Sequence, residues 1–154
     1  MRFSLICAIA LCLALGSCQA ASVLSEAGDA SRMPNNSLRV VRTADQHAYR
    51  EAVLNAKPGD RIVLENGVWS DFDMLLDAEG TAEAPIVVAA ETPGKVILSG
   101  QSSLRLAGEH LIVTGLVFLN GYTPRTEVIS FRRDDDNLAF HSRVTETVID
   151  TYSN

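Results

Sequence analysis

The amino-acid sequence predicts an all-β fold of the parallel solenoid type, with a β-sandwich as the alternative. Short runs rich in β-branched residues recur after Asp60, separated by glycine, asparagine, aspartate and proline. Several runs are continuously apolar, which is typical of parallel strands buried on both faces. Similar runs recur roughly 20 to 25 residues apart, close to one turn of a solenoid. A sandwich also contains many short strands, so it stays open at this point.

The chain begins with a bacterial-type export signal. Arg2 precedes an apolar run of about eleven residues, short of the roughly 18 to 20 that cross a bilayer. Leu15-Gly16-Ser17-Cys18 matches a lipobox, whose cysteine becomes the lipidated first residue. We therefore expect residues 1–18 to be a lipoprotein-type signal peptide ending at Cys18, the lipid attachment site. Ordinary cleavage after Ala20 is the alternative. Either reading places the protein outside the cytoplasm, and a lipoprotein belongs in the periplasm or outer membrane.

A flexible linker is predicted over residues 19–37, which are mostly small and polar without an apolar period. The folded part then covers residues 38–154. A hydrophobic content of 47% and a charged content of 21% are ordinary for a globular domain. The net charge of −6 argues against nonspecific nucleic-acid binding. All three cysteines lie in the leader or at its end, so the mature chain has no pair for an internal disulfide.

One helix is predicted over about residues 44–56. Thr43-Ala44-Asp45-Gln46 has the spacing of a capping box. The apolar residues that follow share one helical face: Tyr49, Ala52, Val53 and Ala56. The helix ends at Lys57-Pro58-Gly59-Asp60, because proline disfavours helical backbone at the preceding residue. A solenoid needs a cap over the open end of its core, and an amphipathic helix ahead of the first coil can provide it.

Strands are predicted beyond this helix wherever β-branched runs are bounded by turn residues. The predicted strands are Arg61–Leu64, Ile86–Ala90, Val96–Leu98, Leu111–Thr114, Leu116–Leu119, Val128–Phe131 and Val144–Ile149.

The order of the turn and strand motifs indicates a family. The segments concerned are Asn55–Leu64, Asn66–Trp69, Gly80–Ile86, Ala90–Val96, Leu98–Leu104 and Val113–Phe118. Together they resemble the N-terminal coils of polysaccharide lyase family 6, which includes alginate lyases and chondroitinase B. The resemblance covers about residues 44–154. It implies a right-handed parallel β-helix and cleavage of uronic-acid polysaccharides by β-elimination. Alginate, as poly-mannuronate, is favoured over chondroitin or dermatan sulfate.

The resemblance also implies which groups catalyse the reaction. β-Elimination needs a base for the proton at C5, a neutralised carboxylate and a proton for the leaving oxygen. Family members are similar in using a lysine base, a nearby arginine and calcium held by asparagine and glutamate side chains, all on later coils. The chain's two lysines, Lys57 and Lys95, lie beside proline-glycine turns. We therefore expect no catalytic residue and no metal ligand here, and calcium only in full-length relatives.

Candidate binding residues are arginines, because guanidinium groups bind carboxylates well. Arg132, Arg133 and Arg143 are the candidates for an anionic uronic-acid polysaccharide, and Arg143 lies in a motif resembling the family's. The alternative is that they balance the adjacent aspartates of Asp134–Asn137, itself interpreted as a solvated loop. The three histidines show no metal-ligand spacing and are interpreted as surface or turn residues.

The sequence stops at Asn154 without a closing helix or polar cap. We expect an N-terminal part of a lyase, truncated at its C-terminus and inactive by itself. The alternative is a non-catalytic, lipid-anchored β-helix module that binds carbohydrate or a partner protein.

Overall fold

The structure is a computed structural model, and it describes residues 38–123 and 125–153 as a parallel β-solenoid with one helix. The predicted signal peptide 1–18, its Cys18 and the linker 19–37 lie outside the described residues. No helix within the described ranges is both long and apolar enough to span a membrane.

The helix α1, Gln46–Leu54, follows the first strand β1, Val40–Thr43. Its buried face consists of Tyr49, Ala52 and Val53, three of the four residues predicted for it. The fourth, Ala56, lies beyond the end of the helix and is half-buried. The capping box expected from Thr43 is wrong, because Asp45 is the N-cap and its carboxylate accepts from Ala48 N at 2.8 Å. The Thr43 hydroxyl is instead buried and donates to Val63 O.

The strands form three sheets. The first contains β1, β2 (Arg61–Leu64), β5 (Ile86–Ala90), β8 (Leu111–Thr114) and β12 (Arg143–Thr145). The second contains β3 (Gly67–Ser70), β6 (Val96–Gln101), β9 (Leu116–Tyr122) and β13 (Val148–Ser153). The third contains β4 (Asp73–Glu79), β7 (Ser103–Glu109), β10 (Ile129–Ser130) and β11 (Ala139–Phe140). The chain visits the three sheets in turn, and every paired strand runs parallel to its neighbour. The parallel β-helix prediction is therefore confirmed.

The core is built from columns of equivalent residues in successive coils. The register places side chains of the same inward position above one another, so each column is apolar throughout. The columns are Ile62, Val88 and Val113 in the first sheet, Trp69, Leu98 and Phe118 in the second, and Met74 with Leu104 and Leu76 with Leu106 in the third. All of these side chains are at least nine-tenths buried.

An aromatic cluster joins the helix to the first coil. Tyr49 meets Phe72 edge to face at 5.3 Å between ring centroids, and Phe72 stacks on Trp69 at 5.4 Å. The Tyr49 hydroxyl donates to Leu75 O at 3.2 Å, and full burial raises the pKa of this phenol far above its ordinary value. The helix thus covers one end of the core, as expected of a cap.

A loop interrupts the third sheet in the third coil. We call residues 131–138, between β10 and β11, the third-coil loop; both strands pair with β7. A hydrogen bond from Arg133 N to Asn137 O at 2.8 Å closes it. Its base is held by Ala139 N, which donates to Phe131 O at 2.8 Å. The strand predicted over Val128–Phe131 therefore shortens to β10.

The predicted strand Val144–Ile149 is also two strands. Glu146 has a φ of 51°, which turns the chain from β12 in the first sheet to β13 in the second.

Phe72→Ala should destabilise the fold strongly, because it removes the ring on which both Tyr49 and Trp69 pack. We expect a loss of about 3 to 5 kcal/mol in the free energy of unfolding, measured by urea denaturation. The matched control is Val68→Ala, since Val68 is 65% exposed in the same coil and should cost less than about 1 kcal/mol. Similar losses of unfolding free energy for the two variants would contradict the conclusion that the aromatic cluster stabilises the capped end of the core.

Candidate functional site

The most highly charged cluster lies on the outward face of the third sheet. Asp73 Oδ2 accepts from Arg105 Nη2 at 2.9 Å and from Arg125 Nη2 at 2.7 Å. These residues come from three successive coils, because Asp73 is on β4, Arg105 is on β7 and Arg125 follows β9. One carboxylate thus binds the coils together from outside, as the apolar columns do from inside.

The pKa of Asp73 reflects these contacts. Partial burial by itself would raise the pKa of this carboxyl, but hydrogen bonds from Arg125, Ser103 and Arg105 outweigh it. The net effect is a lowered pKa, so Asp73 stays ionised across the range in which it holds both arginines.

The third-coil loop is held to the same face through Arg133. Its guanidinium binds Asp77 on β4 and donates from Nε to Asp134 Oδ2 at 2.9 Å. The Arg133 carbonyl also accepts from Arg105 Nη1 at 3.0 Å. Hydrogen bonds from Asn137 and then Arg133 lower the pKa of Asp134 to about 2.

A pocket of about 150 Å³ lies between these charged groups. Arg132 and Arg133, two of the candidate arginines, both line it. Arg132 is paired with Glu127 at 3.4 Å, and it lies 3.9 Å from Asp135. We call the pocket that Arg132 and Arg133 line the clasp pocket. Each of these guanidinium groups therefore already has a carboxylate partner.

Arg143, the third candidate, lies on a different sheet. It is exposed on β12 and pairs in register with Ile112 of β8. Beside it the rings of His110 and His141 stack, with centroids 4.9 Å apart and planes 12° from parallel. A second pocket of about 160 Å³ is bounded by these side chains together with Ala82 and Pro85. We call it the histidine pocket.

The structure therefore brings Arg132 and Arg133 together and places Arg143 elsewhere. Sequence reasoning missed the histidine pair, although each histidine stands immediately before a first-sheet strand. His110 precedes β8 by one residue, and His141 precedes β12 by two. The two histidines occupy equivalent positions in successive coils, which is visible only when the coils are aligned. The third-coil loop obscures that alignment in the sequence.

Within residues 38–123 and 125–153, no group of three or more histidine, cysteine, aspartate or glutamate side chains is placed to hold a metal ion. The Asp134 carboxylate already accepts from Arg133, Asn137 and Asp136 N. Both Lys57 and Lys95 are exposed at turns. The described residues therefore do not fit a calcium site, which the family resemblance implies only for the later coils of full-length relatives.

The coil architecture, the helical cap and the charged outward face define the chain as a parallel β-helix protein. The family profile described as Chondroitinase B matches residues 43–154, so the chain belongs to the chondroitinase B family. The sequence resemblance to polysaccharide lyase family 6 is thereby confirmed.

Several solved structures are similar to the chain. The PL6 family alginate lyase AlyGC is 57% identical with a TM-score of 0.73, over 75% of this chain and 16% of that one. The PL6 family lyase Pedsa3628 from Pseudopedobacter saltans is 28% identical with a TM-score of 0.64, over 71% and 24%. A mannuronic acid specific polysaccharide family 6 lyase from human gut microbiota is 27% identical with a TM-score of 0.63, over 74% and 27%. The chain thus spans a minor part of each. No curated protein sequence matches it significantly.

Asp73→Asn should weaken the attachment of the later coils, because it removes the charge that Arg105 and Arg125 share. Asp73 is 41% exposed, so we expect a loss of about 1 kcal/mol in the free energy of unfolding at neutral pH. Since the folded-state pKa is lowered, this contribution is complete above the unfolded-state value of about 3.9 and disappears as the pH falls through the folded value.

Urea unfolding of both proteins from pH 7 to below pH 4 measures this effect, and the two stabilities should converge at the acid end. Asp135→Asn is the control, because its side chain is 99% exposed and should change stability little. A difference that persists unchanged at the lowest pH would contradict the assignment to the Asp73 charge.

Proposed function

We propose that the chain forms the N-terminal cap and first coils of a lyase that cleaves a uronic-acid polysaccharide by β-elimination. The observation that carries this proposal is its 57% identity with the alginate lyase AlyGC over 75% of the chain. Similarity to a mannuronic acid specific lyase supports alginate over chondroitin or dermatan sulfate as the substrate.

The burial of the core supports a role as the first part of a longer helix. Helix α1 covers one end, where Tyr49 is fully buried. At the other end the second-sheet column continues from Phe118 to Ile149, and exposure rises from 0% to 49%. A further coil stacked on β12 and β13 would bury Ile149 as β9 is buried now.

The chemistry supports catalysis by other coils. Elimination requires a base, a stabilised carboxylate and a proton donor at one sugar. The described residues place neither a buried lysine nor a metal-binding cluster near the arginines. We therefore propose that the reacting groups, including any calcium, belong to later coils of a full-length enzyme, and that this chain alone is inactive.

Arg132, Arg133 and Arg143 are proposed as contacts for the carboxylates of the polysaccharide. At the clasp pocket, an incoming carboxylate must compete with Glu127 and Asp134. A guanidinium has five N–H donors, so Arg132 and Arg133 keep donors for a further acceptor, but the fixed carboxylates weaken its attraction.

A second candidate function is a non-catalytic module that binds carbohydrate. It is favoured by the two arginine-lined pockets on a chain whose described residues offer no metal-binding cluster. A chimera with AlyGC distinguishes this function from the lyase.

Grafting residues 38–154 onto AlyGC in place of the matching segment should give an active alginate lyase. Because no reacting group is exchanged, we expect turnover within about tenfold of AlyGC itself. Formation of unsaturated uronate is followed with alginate and dermatan sulfate, with calcium and then with a chelator. AlyGC lacking the segment and the chain alone should both form no product.

Two outcomes would contradict the lyase proposal. Product from the chain alone would show that it carries its own catalytic groups. A chimera that folds, as judged by its circular dichroism and cooperative unfolding, but forms no product would favour the binding module. A second chimera, built from the matching segment of Pedsa3628, controls for the effect of grafting itself.

We further propose that the protein is exported as a lipoprotein of the periplasm or outer membrane, anchored through Cys18. When the full chain is expressed in a Gram-negative host with a labelled fatty acid, the wild type should carry the label and sediment with membranes. Cys18→Ser should do neither. Cys12→Ser, within the same leader, should keep the label. Label on Cys18→Ser, or none on the wild type, would contradict the anchor.

A further inference from the structure

We propose that the histidine pocket is a binding site for the carboxylate of a uronate sugar. The anion chemistry follows from the geometry of His110, His141 and Arg143, whereas the choice of a uronate rests on the proposed function. The site is separate from the clasp pocket, since it lies where the third sheet turns into the first.

The coil register constructs this site. His110 and His141 occupy the turns that lead into β8 and β12, so one ring lies on the other. Arg143 is two residues after His141 and projects outward, because its register partner Ile112 belongs to the outward column of the first sheet. Three side chains capable of positive charge are thereby collected from two coils.

The charge of the histidine pocket is not balanced from within. Its lining contains no aspartate or glutamate. Among the described residues Arg143 has no ion pair or side-chain hydrogen bond, in contrast to Arg132 and Arg133 in the clasp pocket. A guanidinium with all its donors available, beside two imidazoles, is a favourable partner for a carboxylate.

The remaining walls suit a sugar. Ala82, Pro85 and Ile112 give the pocket an apolar side, against which the C–H face of a pyranose can pack. A volume of about 160 Å³ corresponds to roughly five waters at ~30 Å³ each. This is room for a carboxylate and part of one ring, so the site would hold a single unit of a chain rather than a long segment.

A metal ion is the competing ligand for paired histidines, and the geometry disfavours it. Because the two rings are stacked 4.9 Å apart with planes only 12° from parallel, their nitrogen lone pairs lie in two separate, nearly parallel planes and do not converge on one ion. The positive charge of Arg143 would also repel a cation. The structure therefore assigns this pocket to an anion.

The full chain can be titrated with sodium glucuronate while the histidine ring protons are followed by NMR. The chain has three histidines, and His47 is exposed on α1, at the opposite end of the solenoid from β12. We expect the His110 and His141 signals to shift with saturation and the His47 signal to stay fixed. Methyl glucoside, which lacks the carboxylate, should shift none of them.

Arg143→Gln should weaken glucuronate binding by about tenfold, equivalent to about 1.4 kcal/mol. Arg50→Gln is the matched control, because it removes an exposed arginine of α1 that lines neither the clasp pocket nor the histidine pocket, and it should leave the His110 and His141 titration unchanged.

Three outcomes would overturn the proposal: no saturable shift at His110 and His141, equal shifts at all three histidines, or a response to zinc chloride alone without a response to glucuronate. Each is independent of the chimera assay, so an active chimera without this binding would reject the site and leave the lyase proposal standing.

Discussion

In-register parallel stacking of coils is the constraint on which the rest of the structure depends. Successive side chains of a strand point to opposite sides, so a slip of one residue would move a whole inward column to the solvent. Ile62, Val88 and Val113 form one such column, and all are buried. The register of each coil is therefore fixed by the coil before it. The first coil has no such predecessor, and the aromatic cluster of Tyr49, Phe72 and Trp69 packs it against helix α1 instead.

The same stacking builds the outward surface. Residues about thirty positions apart become neighbours, as Ser70 and Ser99 do at 3.0 Å and Thr114 and Glu146 do at 3.0 Å. A binding site on such a fold is assembled across coils rather than from a contiguous motif. Both arginine-lined pockets follow this rule, because each takes its charged groups from at least two coils.

The sequence predicted strands that are apolar on both faces, such as β5 and β8, and it missed β4 and β7, whose outward faces are largely polar. The strands β4 and β7 carry Asp73, Asp77 and Arg105 outward, and Gly108 interrupts the pattern of β7. They were therefore not predicted as strands, although their inward leucines and methionine are fully buried: Met74, Leu76, Leu104 and Leu106. The sequence could not predict the contacts around the clasp pocket for a different reason. Asp73 and Arg125 are 52 residues apart, and the third-coil loop lengthens one coil unpredictably.

The two pockets show how one residue type performs two tasks on this scaffold. Arg105 and Arg133 are held by Asp73 and Asp77, so their charge is used to fix the third-coil loop against the sheet. A carboxylate ligand arriving there gains little, because it competes with fixed carboxylates in partly screened surroundings. Among the described residues Arg143 has no such competitor in its pocket, and the imidazoles of His110 and His141 lie beside it. Identity of residue type therefore did not decide which arginine is free to bind. The placement of Asp73 and Asp77 in an earlier coil decided it, and that placement follows from the register.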